Sequence, residues 1–179
     1  MDEITLKKPE EWGCWRQLHR LYRQAFPRAE RKPFRMIRQM YRRGTTDIWC
    51  VERDGKFSGL AITINSPDLI LLDYLAVAKD CRGCGVGTAT LKQLQQIYQG
   101  KGLFLEIEST LKPSQDREMR LRRKKFYVNC GFRELGTTAK LFGVEMELLG
   151  IDCQLDFRGY KNFYREFYNS WAADHISAI

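Results

Sequence analysis

The chain has 179 residues, of which 44% are hydrophobic, and a formal net charge of +8 at pH 7. That length is enough for one domain over residues 1–179 with its own apolar core. No run of about 18 apolar residues could span a bilayer, and the first residues lack the apolar segment of a secretory signal, so we expect a cytoplasmic protein without a membrane partner.

The sequence contains six cysteines and two histidines. The cysteines are too dispersed for a secreted disulfide scaffold, so we expect reduced thiols. Cys81 and Cys84 form the one CxxC pair, and His19 and His175 are far from it in sequence. We therefore expect no metal site, and we do not expect a nucleophilic site that uses a histidine base.

Positive charge is concentrated between Arg16 and Arg43, which contains nine arginines and Lys32 against Glu30 alone. A second basic run covers Arg120 to Lys125. Such clusters favour anionic partners, either nucleic acid or the phosphates of a cofactor, although solvated helix faces also explain them.

The first half of the chain is predicted to hold one short strand, two helices and three longer strands. Pro9 opens the first helix, which ends at Pro27, and Pro33 opens the second, which Gly44 ends. Strands are predicted at residues 4–6, 47–53, 56–65 and 69–77, because Asp54-Gly55 is a hairpin signal and Asn65-Ser66-Pro67-Asp68 is a looser turn.

The second half continues with a helix at 88–98, a strand at 103–109, a basic helix at 117–129, strands at 133–142 and 144–153, and an aromatic helix at 157–171. The strand at 69–77 is apolar on both faces and should lie at the centre of the sheet. This order predicts a mixed α/β (α+β) fold, in which helices flank a central mixed sheet.

A glycine-rich segment, Arg82 to Gly87, joins the central strand to a helix. Backbone N–H groups and the helix dipole at such a junction bind anions. A phosphate loop of the Walker A type would need a lysine that is absent, and a dinucleotide fingerprint would need glycine where Thr88 stands, although Glu106 follows at a suitable distance. A glycine turn without a ligand also remains open.

The segment resembles the acyl-CoA motif of GNAT N-acetyltransferases, Gln/Arg-x-x-Gly-x-Gly/Ala, with Arg82, Gly85 and Gly87 at its fixed positions. The second half of that family's signature is also present, because Phe126-Tyr127 precedes Gly131-Phe132 in the basic helix. The resemblance covers residues 4–153, and the helix at 157–171 is an extension.

This resemblance implies an acetyl-CoA-dependent N-acetyltransferase that transfers the acetyl group directly to a primary amine of a small molecule or peptide. The cofactor-binding residues would be Leu75, Ala76 and Val77 along the strand, and Arg82, Gly83, Cys84, Gly85, Val86, Gly87 and Thr88 at the pyrophosphate. Tyr127 would also contact CoA and protonate its departing thiolate. Arg120 stands where relatives often have Asn, and it could meet a phosphate there.

The base that takes the amine proton has three candidates. Glu106 and Glu108 alternate with apolar residues and share one strand face, where they could attract a cationic amine, and Asp73 lies on the central strand. Glu106 is nearest the strand centre and is our preferred base. Both glutamates could equally be the solvated end of a strand.

Two other functions remain possible from the sequence: a nucleic-acid-binding module and a GNAT-fold protein that only senses acyl-CoA. The first is disfavoured because the aromatic residues between Arg16 and Arg43 have core spacing. The seven rings of residues 157–171 exceed what one helix face can bury, which suggests a possible homodimer contact.

Overall fold

The computed structural model describes residues 3–179, apart from the side chain of Ala29. These residues form two compact units. The first contains the chain up to Asn65 together with Leu72–Ile97, and the second contains Ser66–Leu71 and Tyr98–Ile179. The single domain over residues 1–179 stays a prediction, and its first two residues lie outside the described part.

The described residues of the first unit form three α-helices and four strands, and the strands follow the order β1-β2-β3-β4. Strands β1 and β2 are antiparallel, as are β2 and β3. Its apolar core includes Leu18, Tyr22, Ile37, Leu60 and Ile62. Its elements are β1 (Ile4–Lys7), α1 (Trp12–Ala25), α2 (Phe34–Arg42), β2 (Thr46–Arg53), β3 (Lys56–Asn65), β4 (Leu69–Val77, of which the first three residues belong to the second unit) and α3 (Val86–Ile97).

Helix α1 begins later than the sequence predicts. Pro9 lies outside the helix, and Glu11, the residue before Trp12, has extended backbone angles. Lys8 pairs with Asp47 and lies over the ring of Trp49, which holds the preceding chain near β2. The tertiary contact therefore outweighs the local preference of proline for a first helical position.

The expectation of six reduced thiols is wrong for two cysteines. A disulfide joins Cys14 of α1 to Cys50 of β2, while Cys81, Cys84, Cys130 and Cys153 are free. Cys50 is buried in the core on which α1 packs. The two partners are separated by 36 residues, so their spacing in sequence gave no indication of the pairing.

The second unit contains the start of β4 and four further strands, in the order β4-β5-β7-β6-β8. The first residues of β4 run parallel to β5, whereas β5 with β7, β6 with β7, and β6 with β8 are antiparallel. The fold is therefore mixed α/β with a mixed sheet, as predicted. The elements are β5 (Gly102–Glu108), α4 (Arg117–Asn129), β6 (Arg133–Leu141), β7 (Val144–Ile151), α5 (Phe157–Phe163), a π-helical turn (Tyr164–Tyr168), α6 (Ser170–Asp174) and β8 (Ile176–Ser177).

The predicted single helix at 157–171 is wrong. The chain is extended at Asn169, whose side chain accepts hydrogen bonds from the amides of Trp171 and Ala172 and so starts α6 as a separate helix. Three of the seven rings, Tyr160, Phe163 and Tyr164, are buried within the chain, while Trp171 is 61% exposed. The homodimer stays a prediction. Among residues 3–179, no helix is both long and apolar enough to cross a bilayer.

Candidate active site

The glycine-rich loop leaves β4 and ends at α3 within the first unit. Ala78, after the strand, donates its amide to the Ser58 carbonyl at 2.8 Å, and a short 3-10 turn over Lys79–Cys81 follows. The Arg82 Nε donates to the Val77 carbonyl at 3.2 Å, which ties the loop to the end of the strand. Arg82 to Gly85 are exposed, as a ligand-binding loop must be.

Helix α3 begins at Val86, two residues earlier than predicted, because Gly85 already accepts the first helical hydrogen bond from Ala89 at 3.0 Å. Gly83 and Gly85 both have φ +77°, which L side chains rarely adopt. A Cβ built at Gly85 would meet nothing within 4 Å, so the space over the loop is open. The first helical turn, at Val86 and Gly87, provides amides without an intrahelical acceptor at the positive end of the helix dipole. This combination suits phosphate oxygens.

Asp73, the candidate base on β4, is paired with the ammonium of Lys32. The exposed fraction of these side chains is 8% for Asp73 and 16% for Lys32. Burial raises the pKa of Asp73, and Lys32 opposes that rise. Leu75 and Val77 of the same strand are partly exposed, whereas Ala76 is buried.

In the second unit, the two glutamates of β5 have different partners. Glu106 accepts hydrogen bonds from the hydroxyls of Tyr160 and Tyr164, both on its Oε1 at 2.6 Å. Glu108 pairs with Arg120 at 3.1 Å and with Arg123 at 3.8 Å. The shared strand face predicted from the sequence therefore carries one carboxylate ordered by hydroxyls and one neutralised by arginines.

Arg120 and Tyr127 both lie on α4. Besides Glu108, Arg120 contacts Asp116 at 3.0 Å, so carboxylates surround the guanidinium that we expected at a phosphate. The ring of Tyr127 packs against Phe126 and Phe132, with centroids 5.2 and 5.7 Å apart. Burial raises the pKa of Tyr127 to about 12, so its hydroxyl keeps its proton at neutral pH.

Sequence reasoning missed four residues that contact the candidate bases: Lys32, Arg123, Tyr160 and Tyr164. For the tyrosines a signal existed, because residues four apart lie on one face of a helix. For Lys32 the sequence offers none, since it lies 41 residues from Asp73.

Comparison with known proteins identifies the family. The model of the acetyltransferase (GNAT) family matches residues 15–132, about two thirds of the chain. This chain belongs to that family, and it is an enzyme of the acetyltransferase class, as the sequence predicted. No match was found among curated protein sequences.

Solved structures show the same fold at low identity. A protein from Bacteroides thetaiotaomicron assigned to the GNAT acetyltransferases is 18% identical, with a TM-score of 0.74 over 92% of this chain and 97% of that one. An aminoglycoside 6'-N-acetyltransferase complexed with coenzyme A is 14% identical, with a TM-score of 0.65 over 83% and 96%. A Vibrio cholerae spermidine N-acetyltransferase in complex with CoA and spermine is 17% identical, with a TM-score of 0.58 over 83% and 94%.

Proposed function

We propose that this protein transfers the acetyl group of acetyl-CoA directly to a primary amine of a small molecule or peptide. The observation that carries the proposal is the exposed glycine loop between β4 and α3, with open space over Gly85, in a chain of the GNAT family. In this proposal the amides of residues 82–88 bind the pyrophosphate, and the main chain of residues 75–77 binds the pantetheine. Arg120 could contact a phosphate only by exchanging its carboxylate partners for it.

The proposed reaction is a single displacement. The amine nitrogen attacks the thioester carbonyl carbon, the C–S bond breaks, and its electron pair leaves on the CoA sulfur. A carboxylate takes the amine proton, and Tyr127 donates its hydroxyl proton to the thiolate. A tyrosine with a pKa of about 12 is fully protonated at neutral pH, which is the state that a proton donor needs.

Glu106 is the base that we favour. Its carboxylate is oriented by hydrogen bonds from two hydroxyls, it is partly exposed, and it lies nearest the centre of its strand. Asp73 pairs with Lys32, and Glu108 pairs with Arg120. Glu106→Gln should lower kcat/KM most at neutral pH, and the loss should shrink at high pH, where more of the free amine is already deprotonated. A constant ratio of mutant to wild-type rates from about pH 6 to 10 would argue for another base.

The function is tested by measuring thiol release from acetyl-CoA with polyamines, amino sugars, aminoglycosides, amino acids and peptides. Amine-dependent release above the rate of CoA hydrolysis without amine is the expected result. Tight binding of acetyl-CoA without turnover of any amine would instead indicate a protein that senses acyl-CoA.

A further inference from the structure

A groove of about 360 Å³ lies in the first unit, where α1 and the segment leading into α2 come together. We call it the arginine groove. Its volume falls within the range of small-molecule sites. The residues that matter for its chemistry are His19, Arg23, Arg28, Arg31, Lys32 and Phe34.

The arginine groove is strongly cationic. It is lined by three arginines and Lys32, and no carboxylate is among the described residues that line it. The charge of Lys32 is offset by Asp73, which leaves the three guanidinium groups. Weakly hydrated, planar guanidinium groups bind carboxylates and phosphates through paired hydrogen bonds.

The pKa of His19 is lowered by burial and by that positive charge. Its ring stacks on Phe34, with centroids 4.7 Å apart. Burial lowers the pKa of His19, and Arg23 and Arg31 lower it further. The imidazole is therefore largely neutral at pH 7, and it lies where an added anion would favour its protonation.

Arg31 has an unmet hydrogen-bond donor. Its Nη1 donates to the Arg23 carbonyl at 3.4 Å, while its Nε is buried and has no acceptor among residues 3–179. A buried N–H without an acceptor is unfavourable. An oxygen atom of an anion bound in the groove would supply an acceptor for this group.

The groove is joined to β4 by three hydrogen bonds. The ammonium of Lys32 pairs with Asp73, the Tyr74 hydroxyl donates to the Glu30 carbonyl at 2.9 Å, and the Lys32 amide donates to the Tyr74 hydroxyl at 3.4 Å. Asp73 comes two residues before the strand segment to which we assign the pantetheine. A ligand in the groove therefore lies beside the strand that is proposed to hold the donor.

We propose that the acceptor is an amine that also carries a carboxylate or phosphate, and that Arg23, Arg28 and Arg31 bind this anionic group. The inference rests on the proposed function and gives it a substrate class.

Matched pairs of amines test the proposal: O-phosphoethanolamine against ethanolamine, and 4-aminobutyrate against butylamine. We expect kcat/KM to be about 10-fold or more higher for the anionic member of at least one pair, since a hydrogen bond to a charged group contributes about 1.5–3 kcal/mol. The two pairs also distinguish phosphate from carboxylate. Arg31→Gln and Arg28→Gln should each abolish most of the preference.

Arg20→Gln is the matched control, because Arg20 is an exposed arginine of α1 that does not line the groove. This variant should keep the preference. Equal turnover of neutral and anionic amines by the wild-type enzyme would overturn this inference alone, whereas no turnover of any amine would overturn the proposed function. Arg31→Gln could also raise the KM for acetyl-CoA by the same factor by which it lowers the preference for anionic amines. That result would assign the groove to the phosphates of the donor and would also overturn the inference.

A second measurement does not need turnover. The chain has two histidines, so NMR titration can follow the imidazole of His19 with His175 as an internal reference. Inorganic phosphate should raise the pKa of His19, and this effect should be weaker in Arg31→Gln. An unchanged His19 at saturating phosphate would contradict an anion site, and an Arg31-dependent shift of an oligonucleotide on a gel would reassign the groove to nucleic acid.

Discussion

Among the candidate bases, replacing Glu106 should lower the free energy of unfolding most, because two buried tyrosines donate to the same oxygen of its carboxylate. Tyr160 and Tyr164 are 0% and 1% exposed, and both hydroxyls lie 2.6 Å from Glu106 Oε1. Glu106→Leu removes the acceptor that both hydroxyls share. A buried polar group that loses its partner costs about 1–3 kcal/mol, so two such groups give a loss of about 2–6 kcal/mol in the free energy of unfolding.

The tyrosine replacements should cost less. Tyr160→Phe keeps the ring contacts with Phe104 and Tyr164 and removes one of two hydrogen bonds to a carboxylate, at about 1.5–3 kcal/mol. The triple variant Glu106→Leu with both tyrosines changed to Phe replaces the whole polar cluster by apolar groups. Because no buried donor then loses its acceptor, the triple variant should recover most of the stability lost in Glu106→Leu.

Urea denaturation followed by circular dichroism at pH 7 gives the free energies of unfolding of the wild type, the triple variant and its three single replacements, Glu106→Leu, Tyr160→Phe and Tyr164→Phe. Glu108→Leu is the control on the same strand, and it should cost less than about 1 kcal/mol because its ion pairs are partly exposed. If the triple variant is destabilised by the sum of its single replacements, the three side chains act independently and the shared acceptor is refuted.

Three further predictions concern the glycine loop at Gly85, the proposed proton donor Tyr127 and the buried carboxylate of Glu147. Gly85→Asp combines a strained φ with a carboxylate at the phosphate site, so calorimetry should show no acetyl-CoA binding, whereas Gly136→Asp, equally strained and open, should bind normally. Tyr127→Phe should lower kcat about 100-fold without changing CoA affinity, and a wild-type kcat would mean that water protonates the thiolate. Burial raises the pKa of Glu147, but hydrogen bonds from its lysine and threonine partners lower it more, so that its net pKa is lowered. Its stabilisation is therefore present above the ordinary pKa of about 4.3 and is lost as pH falls through the folded-state value. Glu147→Gln should lower the free energy of unfolding by about 2 kcal/mol at pH 7 and by progressively less in acid, whereas the control Glu145→Gln should lower it little. Thermal unfolding from pH 3 to 7 measures both variants, and a loss in Glu147→Gln that does not depend on pH would contradict the prediction.

The sequence alone determined most of the local structure. Turn signals located β2, β3 and β4, while the polar loop before α4 and the glycine after it located that helix at its observed bounds. The glycine spacing after Val77 was enough to place a loop with positive φ angles at the start of α3. These features could be predicted because each depends on neighbouring residues: a strand or helix face repeats every few positions, and a positive φ requires glycine where it occurs.

Only the tertiary structure decided which charged and polar groups meet. Asp73 finds Lys32 41 residues away, and Glu106 finds Tyr160 and Tyr164 across 54 and 58 residues. The break at Asn169 and the pairing of β8 with β6 likewise depend on packing against the rest of the unit. Periodicity shows which face of an element a residue occupies, but the partner on that face is set by strand order and helix packing over the whole chain. For that reason the sequence indicated three candidate carboxylates without their partners, whereas the fold gives each of them a different set of partners.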